Sequence, residues 1–279
     1  MAPRKESILS NTPPCPGISP PLSLTDNILS DRNVAVGHEA LKTHNRASNA
    51  DSYNVAVGFN AGRLITTATN NTLIGGLAGN KITSGNQNTA IGGQALHENT
   101  TAEQNTAVGT YTMYNTTTGS YNVGVGMQAL YDQTTGTQNA AFGRLALQNL
   151  TTGSGNTAVG NHAGDGLTTG ARNTAVGYQT FAGVCSTNDS TAVGHQACHS
   201  QTTGAYNVGI GRAALHGNTS GTYQTAVGYY SLVSATTGVE NTAYGAYSGN
   251  SLTTGSYNVI IGKHGGQALT TATQNTILG

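Results

Sequence analysis

Eight histidines, three cysteines, 11 basic and 11 acidic residues are the material for chemistry in this chain of 279 residues. Of the histidines (His38, His44, His97, His162, His195, His199, His216 and His264), only His195 and His199 crowd with Cys198, and with Cys185 upstream, as zinc ligands do. No Ser/His/Asp set and no pair of carboxylates stands at a spacing that suggests nucleophilic or acid–base work. Five of the thirteen tyrosines (Tyr53, Tyr121, Tyr206, Tyr223, Tyr257) recur at one repeated position, where they would bind sugars or proteins if they lined a groove, or simply cover a strand edge. A recurring Thr-Thr-Gly presents hydroxyls, as an ice-binding surface does, and sequons such as Asn99-Thr100-Thr101 and Asn115-Thr116-Thr117 would matter only in a eukaryotic secretory pathway.

What positions these residues is a repeat. Blocks of the form N-T/V-A-V-G begin at Asn33 and Asn54 and then every 17 residues to position 275. The consensus unit, N-T-A-V-G-x-x-A-L-x-x-x-T-T-G-x-x, is numbered here 0 to 16. A fixed period of this kind decides the fold before any local reading does. Offset 4 is glycine in all fifteen blocks, which predicts a corner closed to side chains. Offset 3 is always apolar and offset 1 alternates between valine and threonine, so the two share one face of a short strand. Offsets 2 and 7 are small. Offset 8 is large in nine units and glycine in five, and Gly62, Gly79, Gly164, Gly249 and Gly266 are each followed three residues later by Ile65, Ile82, Leu167, Leu252 or Leu269. One core site filled from either of two backbone positions explains that pairing.

The β-branched residues, threonines and glycines oppose a helical stripe. The expected fold is all-β: a parallel β-solenoid of 17-residue coils, about fifteen units, over residues 33–279. At the strand separation of about 4.8 Å, this would make a rod roughly 70 Å long. Stacked asparagines at offset 0 should hydrogen-bond along it, with local interruption where Ser190 and Gln224 replace them.

The repeat also weighs on the chemistry. Cys198 falls in the offset-8 core column, so burial is favoured over zinc ligation, with His195 and His199 at variable, exposed offsets; no metal, cofactor or catalytic residue is assigned, and the chain is read as not an enzyme. The V-G-x-x-A-L match to hexapeptide acyltransferases occurs once per 17 residues, where such coils need three hexads in 18. The Thr-Thr-Gly sits where a turn is expected, which weighs against ice binding.

Residues 1–32 lack the repeat, contain all six prolines and read as a separate, partly polyproline-II arm. Charged residues make 8% of the chain and cancel, leaving no footprint for nucleic acid and no polybasic patch for a membrane. No apolar run approaches the ~20 residues of a spanning helix and no signal peptide is recognised. The three cysteines are too few for a disulfide framework.

The N-T-A-V-G blocks at Asn105, Asn156 and Asn173 resemble the head repeats of YadA-like trimeric autotransporter adhesins, and more closely the repeats of phage and viral tail-fibre proteins. The resemblance covers residues 33–279 and implies a left-handed β-roll, three chains around a common axis, used as a fibre shaft or adhesive head. Adhesin heads usually repeat near 14 residues, and neither a membrane anchor, a stalk nor a chaperone domain is recognised here. Small residues at offsets 2 and 7 would suit faces where the three chains approach. The expectation is a non-catalytic structural fibre or filament protein, extracellular or on a virion, whose partners are copies of itself and a host surface or glycan. An adhesin or carbohydrate-binding head is the alternative, with ice binding behind it. An uncapped coil at Gly279 would also template end-to-end filaments through the arm or first coils of another copy.

Overall fold

The computed structural model describes residues 32–44 and 51–279, so the proline-rich arm, apart from Arg32, and the attachment expected of it lie outside the described residues. Fifteen strands of three residues are present, and no helix among the described residues. The chain forms two compact units. The first, Met1–Thr135, holds β1 (Val34–Val36) to β6 (Val123–Val125); the second, Gly136–Gly279, holds β7 (Ala140–Phe142) to β15 (Thr276–Leu278). Within each unit successive strands pair in parallel, displaced by one repeat, as in Thr72↔Thr89 and Thr157↔Thr174. Each unit is therefore a β-solenoid of 17-residue coils. The longer first interval leaves the strand register intact, because Val34 still faces Val55.

A coil owes its shape to four backbone reversals. The offset-4 glycines from Gly37 to Gly262 have φ between +124° and +141°. A Cβ at Gly160 would also stand 2.8 Å from the Gly177 carbonyl oxygen of the next coil, so both conformation and space demand glycine. The other reversals, at offsets 6, 8 and 16, are left-handed positions occupied mostly by ordinary residues: Gln128 (φ +57°), Leu130 (+54°) and Gln138 (+59°) in one repeat. Each costs about 1 kcal/mol or more for a residue with a Cβ. Nothing in their side chains announces them.

The middle residue of each strand points inward, and Ala56, Ala107, Ala158 and Ala226 are fully buried. The offset-7 residues Ala61, Ala95, Ala163 and Ser231 are buried too. The small residues at offsets 2 and 7 therefore line the chain's own thin interior, against the expectation that they lie between chains; opposite a large offset-8 side chain there is room for nothing bigger.

The interior is filled by exchange among three positions. At Gly62 a Cβ would meet Leu73 Cδ1 at 2.7 Å, Leu41 Cδ2 at 3.0 Å and Ile65 Cδ1 at 3.1 Å. The offset-11 isoleucine thus occupies the space that an offset-8 side chain would take, as expected. The structure adds the third contributor. Gly62 and Gly79 flank Leu73, and Gly249 and Gly266 flank Ile260, so where two successive offset-8 residues are glycine, the offset-2 residue between them is large. Conversely, offset-2 Gly124 and Gly209 make room for Met113 and Cys198. In one coil the inward position moves: Phe181 fills the core, Val184 at offset 11 is 76% exposed, and Cys185 at offset 12 turns in beside Leu167.

The offset-0 asparagines run through the buried interior. Asn156 Nδ2 donates to Asn139 Oδ1 (3.1 Å) and to the Gly170 carbonyl (2.8 Å), while its own Oδ1 accepts from Asn173 N (3.0 Å) and Nδ2 (3.1 Å). At Ser190, and between Asn207 and Gln224, the amide-to-amide rungs lapse, as expected, while the backbone rungs run on. Ser190 N still donates to Asn173 Oδ1, Asn207 N donates to Ser190 Oγ, and Gln224 N donates to Asn207 Oδ1. The missing amide is supplied from offset 11: Gln201 Nε2 donates to Ser190 Oγ, Thr187 Oγ1 and the Gly204 carbonyl. Asn218 does the same beside Gln224, accepting from its Nε2 at 3.0 Å and donating to the Gly221 carbonyl.

Two stability outcomes follow. Leu130→Ala should cost about 2 to 5 kcal/mol in chemical denaturation, and Leu130→Gly about 1 kcal/mol less, since glycine relieves the left-handed backbone. Adding Gln133→Leu should restore part of either loss; an equal gain with Leu130 intact would refute the shared site. Asn156→Ala should cost several kcal/mol, about 1 to 3 for each buried polar group left unsatisfied, whereas the exposed Asn161→Ala should leave the melting temperature within a degree or two.

Candidate functional site

Because offset 2 faces in, offsets 1 and 3 face out. In the first unit Val34, Val36, Ile74 and Ile91 are 38% to 43% exposed, and in the second Phe142, Val159, Ile210, Ile261 and Tyr244 range from 39% to 59%. Every offset-1 residue is threonine, valine or alanine and every offset-3 residue is apolar, so this face carries no charge in either unit. The strands present these side chains in register, one pair per coil. Such a surface exceeds the scattered apolar residues of an ordinary exterior.

A second feature is an aromatic ridge on the offsets after the glycine corner. In the first unit His97, Tyr114 and Tyr131 stack in consecutive coils, with centroids 5.0 Å and 5.4 Å apart. In the second, Tyr178 stacks on His195, His199 on His216, and Tyr247 on His264. The Arg212 guanidinium lies over Tyr229 and Tyr230, each about 5 to 6 Å from the ring centre. Burial raises the Tyr131 and Tyr247 phenols above their usual range, so they stay protonated donors.

Nothing here assembles a reactive centre. Cys198 is fully buried in its core column, and burial pushes its thiol far up; Cys185 is likewise buried and pushed up to about 12. A buried, protonated thiol is neither a nucleophile nor a ready ligand. His195 and His199 are half-buried in ring stacks, not exposed as expected. Among the described residues no group of three or more His, Cys, Asp and Glu side chains could hold a metal ion. His162 does meet a carboxylate, Nδ1 to Asp165 Oδ2 at 2.7 Å, with Arg144 on its other nitrogen, an arrangement that locks the ring.

The hydroxyl array is partly consumed by the fold. Offset-12 threonines donate to the offset-12 carbonyl one coil on, as Thr83 does to Thr100 and Thr236 to Thr253. Offset-13 hydroxyls such as Thr101, Thr118 and Thr237 remain exposed. Asn99, the first sequon asparagine, is fully buried and bonded to Ala102, and is closed to a glycosyl donor in the folded chain. The repeated tyrosines Tyr53, Tyr121, Tyr206, Tyr223 and Tyr257 stand about half exposed, covering no edge completely.

No family model, no curated protein and no solved structure matches this chain.

One pH dependence follows from the ridge. Burial, reinforced by the neighbouring His199 and His195, holds the His216 imidazole below its usual pKa. The unfolded chain therefore takes up this proton first, and the contribution of neutral His216 is complete above about pH 6.5 and declines as pH falls through that value. Melting temperatures between pH 7.5 and 5.5 should fall with acidification, and His216→Gln should flatten the slope; an unchanged slope would show that the stacked pair tolerates charge.

Proposed function

We propose that this chain is a non-catalytic structural protein, a β-solenoid segment of an extracellular or virion fibre, that assembles as a homotrimer through the outward strand faces. The supporting observation is the uncharged face of valine, isoleucine and threonine repeated in register through both units. Packing copies around a common axis removes this surface from water at about 25 cal/mol per Å², and a heterologous contact repeated by a three-fold rotation closes into a ring. The number three rests on the resemblance of the N-T-A-V-G repeats to tail-fibre and YadA-like head repeats. The aromatic ridge lies on the side away from the strands and would stay outward in such an assembly, where it favours contact with a glycan or host surface as a secondary role.

The same face supports one rival. Threonine at offset 1 and valine or isoleucine at offset 3 form two parallel columns on strands, rather than at the turn where Thr-Thr-Gly sits, and such columns suit ordered water and ice. Burial in a trimer would abolish that role.

Light scattering coupled to size exclusion should give three chain masses for the wild type. Val159→Lys with Ile210→Lys should give one, with the far-ultraviolet spectrum kept; the milder Val159→Thr with Ile210→Thr should shift the equilibrium partway. A wild type that stays monomeric at high concentration would overturn the trimer, and thermal hysteresis by that monomer would establish the rival.

A further inference from the structure

Offset 16 is a left-handed position that sets its side chain on the surface in every coil. From Arg172 on, within the second unit, six successive members of this column are Arg172, Asp189, Tyr206, Tyr223, Glu240 and Tyr257. The first two of these neutralise each other, with Arg172 Nε and Nη2 donating to the two Asp189 carboxylate oxygens at 2.6 Å and 2.8 Å. The next two stack, with ring centroids 4.9 Å apart and planes 3° from parallel. Tyr206 thereby covers one face of Tyr223 and leaves the other turned toward the following coil.

That coil offers a carboxylate. Glu240 has φ +55°, against +56° at Tyr223 and +60° at Tyr257, so the three backbones aim their side chains the same way. Tyr223 and Tyr257 stand two coils apart, roughly 10 Å at the strand spacing, and are 57% and 52% exposed. A glutamate is shorter than a tyrosine. A shallow surface cavity at this point is lined by Tyr223, Glu240 and Thr242, the first residue of β13 (Thr242–Tyr244). Unlike Asp189 in the same column, Glu240 forms no ion pair among the described residues.

We propose that Tyr223, Glu240 and Tyr257 form a binding slot for an alkylammonium group. The exposed face of an aromatic ring attracts a cation through its quadrupole, a second ring on the far side does the same, and the carboxylate between them supplies the full opposite charge. A neutral guest would leave that charge uncompensated, which disfavours a sugar here. The ammonium could come from a free quaternary head group or from a lysine side chain on another surface.

Calorimetric titration of the intact protein at low ionic strength tests this, with tetramethylammonium and n-butylammonium chlorides as probes, and 3,3-dimethyl-1-butanol and a methyl galactoside as neutral controls. At least one ammonium probe should bind saturably and the neutral probes should not; preference for the quaternary probe indicates a head group, preference for the primary one a lysine. Glu240→Gln and Tyr223→Ala should each weaken binding about tenfold, with circular dichroism unchanged because both side chains are exposed. Absence of saturable ammonium binding, equal binding of the butanol, binding of the galactoside alone, or wild-type affinity in Glu240→Gln would each overturn the slot.

Discussion

The buried amide of the offset-0 asparagine is the interaction on which the rest of each coil depends. It sits where the chain returns from the Thr-Thr-Gly corner to the strand, a place where backbone groups face inward with no water to satisfy them. One side chain serves as acceptor for the next coil's backbone and as donor to a carbonyl of its own coil, as Asn156 does for Asn173 and Gly170. Serine is too short for both targets: Ser190 Oγ accepts from Asn207 N but donates to the Asn188 carbonyl, not to Gly204. Where Ser190 stands, the donor half is supplied by Gln201 from a different part of the coil. The interior therefore accepts a change of residue but not a missing hydrogen bond.

From this follows the rigidity of the period. An amide that must reach the offset-14 carbonyl of its own coil and the asparagine of the coil before tolerates no drift in the number of residues between asparagines. Length can change only where the chain lies outside the ladder, and the longer first interval shows that: Asn54 N still donates to Asn33 Oδ1 at 2.8 Å and the strands keep register. Apolar filling is looser than polar satisfaction. The large side chain comes from offset 2, 8 or 11 according to what the neighbouring coils leave free, since dispersion and burial ask only for matched volume.

What could be read from the residues divides along the same line. The solenoid, its period, the glycine corner at offset 4 and the offset-8 and offset-11 exchange were legible because each is a column in which one residue type is forced. The direction of the strand faces was not. Ala and Val alternate at offsets 2 and 3, and periodicity alone cannot say which lies inside; the volume already taken by offset 8 decides it, which is why Leu73 and Ile260 enter only beside glycines. The left-handed positions at offsets 6, 8 and 16 were hidden too, because glutamine, leucine and tyrosine carry no mark of the backbone they adopt. At the candidate functional surfaces, the tyrosine column was visible, but that Tyr206 shields Tyr223 and leaves Glu240 unpaired depends on which coil follows which.

Those hidden reversals bear on how the molecule holds together. Each coil carries several residues in a conformation that L-amino acids resist, and within the coil only turn hydrogen bonds such as Ala129 N to the Gly126 carbonyl and Gln133 N to the Leu130 carbonyl, together with the asparagine amide, offset this. Compensation comes from the coils above and below, through the strand ladder, the amides and the offset-12 hydroxyls. A coil alone therefore lacks most of its hydrogen-bond partners, and its neighbours on either side supply them. This makes stability collective along each unit. It also explains how a chain with 39 glycines and few charges can keep an apolar strand face in register: the face is held from behind by ladders that run from coil to coil, whether water or another chain lies against it.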